Sequence, residues 1–247
     1  MNYKSISLFT LLGLVILFSS CGKDRGDLDL NFKLTYDGEP MVMFQEYTYP
    51  SGEKFTLNRV SFYTSNIALD GNVLKEVEYF DLTDSHSTAD GAADGLTYNI
   101  KDLPAESYSN VKFSLGVTPE NNAMTPADFE NSNALSRAGE YWNGWQSYVF
   151  LKIEGDLDID GDGASDRGIS LHVGGDENFA SITFPKPITI APDEVAKAEF
   201  FIDLKDAFEN NGNLYDLQSN PALHSKDMHL EFMQQIMTGV ASTMTAR

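Results

Sequence analysis

The residues best suited to chemistry fall into three groups. The run Asp158-Ile159-Asp160-Gly161-Asp162-Gly163-Ala164-Ser165-Asp166 sets carboxylates on alternate positions of a glycine-rich loop. Calcium takes about six to eight oxygen ligands, and side chains spaced this way converge on one point. Asp158, Asp160 and Asp162 take the first, third and fifth positions, the Ala164 carbonyl the seventh and Asp166 the ninth. Ile169 stands at the twelfth, where a calcium-binding helix–loop–helix carries a bidentate glutamate. A closing ligand must therefore come from elsewhere, with Asp156, Asp176 and Glu177 as candidates. Aspartates this close repel one another without a cation, so a structural calcium ion is expected; the other reading is an acidic hairpin loop without metal.

The second group is the four histidines, His86, His172, His224 and His229, none of them in an H-E-x-x-H pattern. His172 lies in the strand-like run Ile169 to Gly175, on the same face as Ser170. His229, Met233 and Met237 repeat every four residues and would form one column on a helix. Imidazole with thioether would suit Cu(I), which raises the column of His229 and Met233 as candidate donors. For the methionines the sequence alone favours the other reading, a core helix in which they fill gaps. His86 falls in the small, polar stretch Ser85 to Gly95 and is expected to be exposed on a mobile loop.

The third group is Tyr141 to Tyr148, which holds both tryptophans, Trp142 and Trp145. Four aromatics in so short a span suit a sugar-stacking platform, a core plug or the wall of a metal site. Nucleophilic catalysis has no foothold: there is no G-x-S-x-G, and the single thiol is Cys21. No enzymatic activity is expected.

These groups need a scaffold, and the prevailing pattern is a period of two. Leu28, Leu30, Phe32, Leu34 and Tyr36 alternate with Asp29, Asn31, Lys33 and Thr35, as in a half-buried strand. Further strands are expected at Met41–Tyr49, Lys54–Leu57, Val60–Leu69, Val77–Leu82, Tyr98–Ile100, Ser109–Val117, Tyr148–Glu154, Gly168–Val173, Ala180–Phe184 and Lys197–Leu204. Asp70-Gly71 marks a tight hairpin turn. Many short strands with turns between them predict an all-β, antiparallel sandwich or barrel, of which a β-sandwich with Greek-key-like connections is the one expected here. Thr125 and Pro126 suit the start of a short helix. From Ser225 onward Met228, Phe232, Met233, Ile236, Met237 and Val240 trace the stripe of a C-terminal helix.

Composition narrows the partners. Seventeen lysines and arginines against 37 acidic residues leave a formal charge of −20, which repels nucleic acid. Hydrophobic residues make up 42% of the 247, enough for a substantial core. At the N-terminus Lys4 precedes the apolar run Leu8 to Phe18, then Ser19, Ser20 and Cys21. Eleven helical residues rise only about 16 Å, short of a bilayer, which fits a cleaved export signal rather than a span. A cysteine after two small residues resembles the lipobox of bacterial lipoproteins. It implies a signal peptide over 1–20, lipidation of Cys21, a tether over 21–27 and a single domain over 28–247, held in the cell envelope at the outer membrane. Lys23 and Asp24 are similar to the charged tethers of Bacteroidetes lipoproteins.

Several phrases in order resemble the MbnP-like family of copper-binding proteins: FKLTYDGEP from Phe32, RVSFYTSNIAL from Arg59, YFDLTD from Tyr79, YSNVKFSLGV from Tyr108, YWNGWQSYVFLKIEG from Tyr141 and LHVG from Leu171. The resemblance implies a β-sandwich in which histidines hold copper beside a tryptophan that becomes oxidised to kynurenine. His172 matches the family's strand histidine, Trp142 the first tryptophan of its W-x-W-x-x-G-Y pattern, and His229 a histidine near the C-terminus. The pattern departs at Gly144, where Trp145 follows one place late, at Ser147, and around Leu34 and Thr35, where many members carry a histidine. The expectation is thus a lipid-anchored, non-catalytic copper-binding protein with a calcium loop; the rival is a surface adhesin or glycan-binding module using the Tyr141–Tyr148 aromatics.

Overall fold

The computed structural model describes residues 24–247. The expected signal segment, Cys21 and the start of the tether lie outside the described residues. No helix among the described residues is long and apolar enough to cross a membrane.

The expected all-β sandwich forms from nine strands of five or more residues: β1 (Arg25–Tyr36), β2 (Lys54–Leu69), β3 (Asn72–Asp81), β4 (Leu96–Pro104), β5 (Val111–Leu115), β6 (Ser147–Asp158), β7 (Arg167–Gly174), β8 (Ala180–Phe184) and β9 (Val195–Asp203). β1 begins at Arg25, inside the stretch read as tether, and the two segments expected between Lys54 and Leu69 are one strand. In one sheet β1 lies between β4 and β9. The other runs β8-β5-β2-β6-β7, with β3 also on β2 and the two-residue strand Ala222–Leu223 added beside β7. Most pairs are antiparallel, as the hairpin signals imply. β1 and β9 instead run parallel over nine register pairs, Asp27–Val195 to Thr35–Asp203, because the connection between them carries most of the chain. The Asp70-Gly71 turn closes the β2–β3 hairpin with φ of +47° and +85°, the paired positive values of a type I′ turn.

The core follows from alternation. Phe32 in β1 and Phe200 in β9 are register partners whose rings lie 5.3 Å apart. Across the sandwich Phe32 meets Phe62 at 5.5 Å, Phe80 at 4.5 Å and Phe113 at 5.8 Å, and Phe184 joins Phe113 and Phe200. Each buried phenylalanine is worth about 1.5–3 kcal/mol over exposure, so this cluster holds the two sheets together.

Helix is scarce among the described residues. A turn of 3-10 helix over Pro126–Asp128 follows Thr125, whose N–H and hydroxyl both donate to Asp128 Oδ2 at 2.8 Å. The C-terminal helix, Leu230–Thr243, begins five residues later than expected, and its buried stripe is Met233, Ile236, Met237 and Val240. It packs on the short helix Leu204–Phe208, where Gly239 allows contact with the Ala207 carbonyl that any side chain would block.

One expectation fails in an informative way. His86 is fully buried, and the polar stretch around it holds a short helix, α1 (Ala89–Asp94), capped by Thr88. Its Nε2 accepts the Leu34 backbone N–H at 2.9 Å, and its Nδ1 donates to the Leu82 carbonyl at 3.0 Å. These two bonds require a neutral ring and tie β1 to the turn after β3. Polar residues flanking a single imidazole looked like solvated loop, but that imidazole satisfies a backbone donor which the β1 ladder leaves unpaired.

Burial pushes the His86 pKa below the ordinary imidazole value of 6.5, against the smaller upward pull of the Leu82 carbonyl. The unfolded chain therefore takes up a proton that the folded chain refuses. Stability is full above about pH 6.5 and falls as the pH drops toward the lower folded value. Urea unfolding followed across that range is expected to give a shallower acid slope in His86→Gln than in the wild type. His86→Ala, which leaves a cavity and an orphaned Leu34 N–H, is expected to cost about 2–4 kcal/mol in the same measurement.

Candidate metal centre

The outer face of the second sheet carries the polar groups. The β6–β7 register pairs Lys152 with His172 and Glu154 with Ser170, and on the other side of β6 Glu154 faces Arg59 and Lys152 faces Ser61 of β2. Leu151 and Ile153 alternate with these toward the core. Two irregularities flank the segment. Phe150 is extra opposite β7 and Asn58 is extra opposite β6 at the Glu154–Gly155 step, and bulges of this kind re-aim side chains.

This face is roofed by the chain from Thr118 to Gln146. Asn122 Oδ1 accepts the Tyr148 N–H at 2.8 Å, Tyr148 Oη donates to the Leu135 carbonyl at 2.8 Å, and Lys152 Nζ donates to the Gly139 carbonyl at 3.1 Å. The roof ends in a tight hairpin in which Tyr141–Trp142 pairs with Ser147–Tyr148 and Gln146 takes a φ of +51°. That turn lays Trp145 against Trp142, with ring centroids 4.5 Å apart and planes 16° from parallel. Trp145 is buried, its Nε1 donating to the His224 carbonyl at 3.3 Å, and its ring edge lies where a Cβ on Gly174 would reach within 3.2 Å. Glycine at the end of the LHVG run is what admits the indole.

Beside the tryptophans sits His172. Its ring is 5.7 Å from Trp142 and 5.4 Å from His224, and His224 is 5.5 Å from Trp142. His172 Nε2 lies 2.6 Å from Glu154 Oε1, and the Ser170 hydroxyl stands 2.7 Å from His224 Nε2 and 3.4 Å from His172 Nε2. Burial lowers the His172 pKa more than the hydrogen bond and charge of Glu154 raise it, so the ring is neutral at pH 7. The Glu154 contact is then a hydrogen bond from Nε2–H to a carboxylate, not an ion pair. His172 Nδ1 is buried and has no hydrogen-bond partner. A neutral imidazole with an unpartnered buried nitrogen, a second imidazole and an indole wall is a donor set that fits copper. A cleft of ≈ 270 Å³ lined by Trp142, Gly144, Trp145, His224, Ser225, Lys226 and Asp227 shares Trp142 and His224 with this cluster.

Behind the histidine lies a charged network. Arg59 donates to Glu140 Oε1 at 2.7 Å and to the Tyr79 hydroxyl at 2.8 Å, and its Nη1 stands 3.7 Å from Glu154 Oε2. Lys152 Nζ is 2.7 Å from Glu140 Oε2. Burial alone would raise the Glu140 pKa, but Lys152 and Arg59 outweigh it and hold the carboxyl below its usual range.

Of the residues singled out by sequence, His172, Trp142 and Trp145 come together. His224 and Glu154 complete the cluster and were not foreseen; the alternation in LKIEG, which puts Glu154 on the face of Lys152, was the available signal for the glutamate. His229 is one bond removed: it precedes the helix rather than sharing a column with the methionines, and its Nδ1 accepts the His224 N–H at 3.2 Å. Met233 is wholly buried in the hydrophobic core, as a packing residue would be.

In the acidic loop Asp158, Asp160 and Asp166 each bring one carboxylate oxygen within 4.8 Å of the others. Asp158 also accepts the Gly161 and Gly163 N–H groups, and Asp166 that of Ile159. Asp162 turns to the Ala164 N–H at 2.8 Å rather than joining the trio.

A family model described as MbnP matches residues 25–226 of this chain. Among solved structures, MbnP from Methylosinus trichosporium is similar in fold: 16% identical, with a TM-score of 0.50, over 75% of this chain and 78% of that one. A comparison with curated proteins finds no match.

Glu140→Gln is expected to leave Lys152 without its carboxylate partner and Arg59 with only the more distant Glu154 and Asp81, and to destabilise the fold by about 3 kcal/mol in urea. Because the Glu140 carboxyl is held low, its contribution is present above the ordinary carboxylate range and is lost as pH falls through the lower folded value. The acid limb of the stability profile should accordingly flatten in the variant.

Proposed function

Because this chain belongs to the MbnP family, we propose that it is a non-enzymatic copper-binding protein of the cell envelope, held there by lipid on Cys21. His172 and His224 would hold the ion, with Trp142 as the wall of the site and Glu154 and Ser170 behind the rings. The observation that carries this reading is the pair of imidazoles whose rings are 5.4 Å apart beside an indole, one of them presenting a buried, unpartnered nitrogen. When bound, copper would supply a soft, redox-active centre; the chain's own part is to keep His172 neutral, fix the orientation of both imidazoles and exclude water with the Trp142–Trp145 stack.

The rival reading, a glycan-binding platform, requires open aromatic faces. Trp145 is buried against Trp142 and hydrogen-bonded to the backbone, which leaves little of a two-ring platform. Its support is correspondingly thinner. In the acidic loop the convergence of Asp158, Asp160 and Asp166 favours a separate calcium ion with a structural role.

Two measurements test these proposals. Cu(I) titration against a chromophoric chelator should give one ion per chain, and His172→Ala or His224→Ala should weaken it at least about tenfold, or 1.4 kcal/mol. Uptake well below one ion, or wild-type affinity in both variants, would remove the copper reading. For calcium, melting curves with EDTA and with added Ca2+ should separate, by about 2.7 kcal/mol at a hundredfold excess over the dissociation constant. Superimposable curves would remove the calcium.

A further inference from the structure

Resting on the copper reading of the same site, we infer that Glu154 is a positioning residue that keeps the His172 proton on Nε2, so that Nδ1 is the nitrogen offered to the metal. An imidazole that ligates through one nitrogen needs the other to carry a proton, and a carboxylate acceptor fixes that choice and the ring's rotation. Glu154 Oε1 accepts from His172 Nε2 at 2.6 Å, while His172 Nδ1 is buried with no partner. A buried acceptor left unpaired costs about 1–3 kcal/mol in an ordinary interior, which argues that the unpartnered nitrogen serves as a ligand atom rather than being an accident of packing.

The carboxylate is itself held from behind. Its other oxygen faces Arg59 Nη1 at 3.7 Å, and Arg59 is anchored by Glu140 and the Tyr79 hydroxyl. Glu154 is thereby engaged on both oxygens, one by the imidazole and one by the guanidinium. It orients His172 and is withdrawn from the pool of direct ligands, which leaves the first contacts of the metal to neutral donors. Such a set favours a soft monovalent ion over the hard divalent ions that carboxylates attract.

The test begins with the metal-free wild-type chain, selectively 15N-labelled on histidine. Two-bond proton–nitrogen correlations at neutral pH should find the His172 proton on Nε2. A proton on Nδ1 would overturn the inference, and no variant is needed to decide it. In Glu154→Ala the two tautomers should mix, and Cu(I) affinity should fall about ten- to a hundredfold. Glu154→Gln, whose amide oxygen can still accept from Nε2–H, should restore the tautomer and most of the affinity. Unchanged tautomer and affinity in Glu154→Ala would also overturn it. The outcomes for the two readings separate: a wild-type chain with the Nε2–H tautomer that takes up no copper ends the metal proposal and leaves the orienting role of Glu154 intact, whereas copper binding with an Nδ1–H tautomer does the reverse.

Discussion

The site depends on one hydrogen bond, from His172 Nε2–H to Glu154, and that bond depends on the register between two strands. With Lys152 opposite His172 and Glu154 opposite Ser170, the carboxylate lies one step along the sheet from the imidazole and reaches its far nitrogen. A slip of one residue would turn His172 into the core and bring Leu171 or Val173 out. The hydrophobic alternation that builds the sandwich therefore also fixes the chemistry on its outer face. Neither can change without the other.

That outer face is unusual for a sandwich because it is covered. The chain from Thr118 to Gln146 is stitched down by Asn122, Tyr148 and Lys152, and its last turn delivers the stacked indoles. The cover lowers the local dielectric, which keeps His172 neutral and makes the charges beneath it interact strongly. It also obliges Arg59 and Lys152 to be balanced by Glu140 and Glu154, since an unpaired charge under such a roof is costly. The network and the imidazole are consequences of the same enclosure. The phenylalanine cluster around Phe32 does the corresponding work between the sheets, through apolar packing.

How much of this could be read from sequence varies with the range of the interaction responsible. Strands with clean alternation, such as Leu28 to Tyr36, and the Asp70-Gly71 turn were legible because their signals are local. So was the grouping of His172 with the YWNGW run, through the family resemblance. His224 was not: it reaches the site because Ala222 and Leu223 pair with Ser170 and Leu171, a contact across more than fifty residues that leaves no periodic trace. His86 was misjudged for a related reason. Its neighbours are those of a loop, and its partners, Leu34 and Leu82, lie on other segments. The helix column of His229 and Met233 dissolved because periodicity does not say where a helix starts, and His229 sits at its cap.

The parallel pairing of β1 with β9 has a mechanical consequence. β1 starts at Arg25 and is flanked along its length by β9 and β4, so tension on the chain ahead of it acts along the strand axis. The rungs joining β1 to both neighbours run across that axis and are strained together, in shear, instead of opening singly from one end as in an unzipping hairpin. A fold gripped in this way resists being drawn out by its leading end far better than its modest size would suggest.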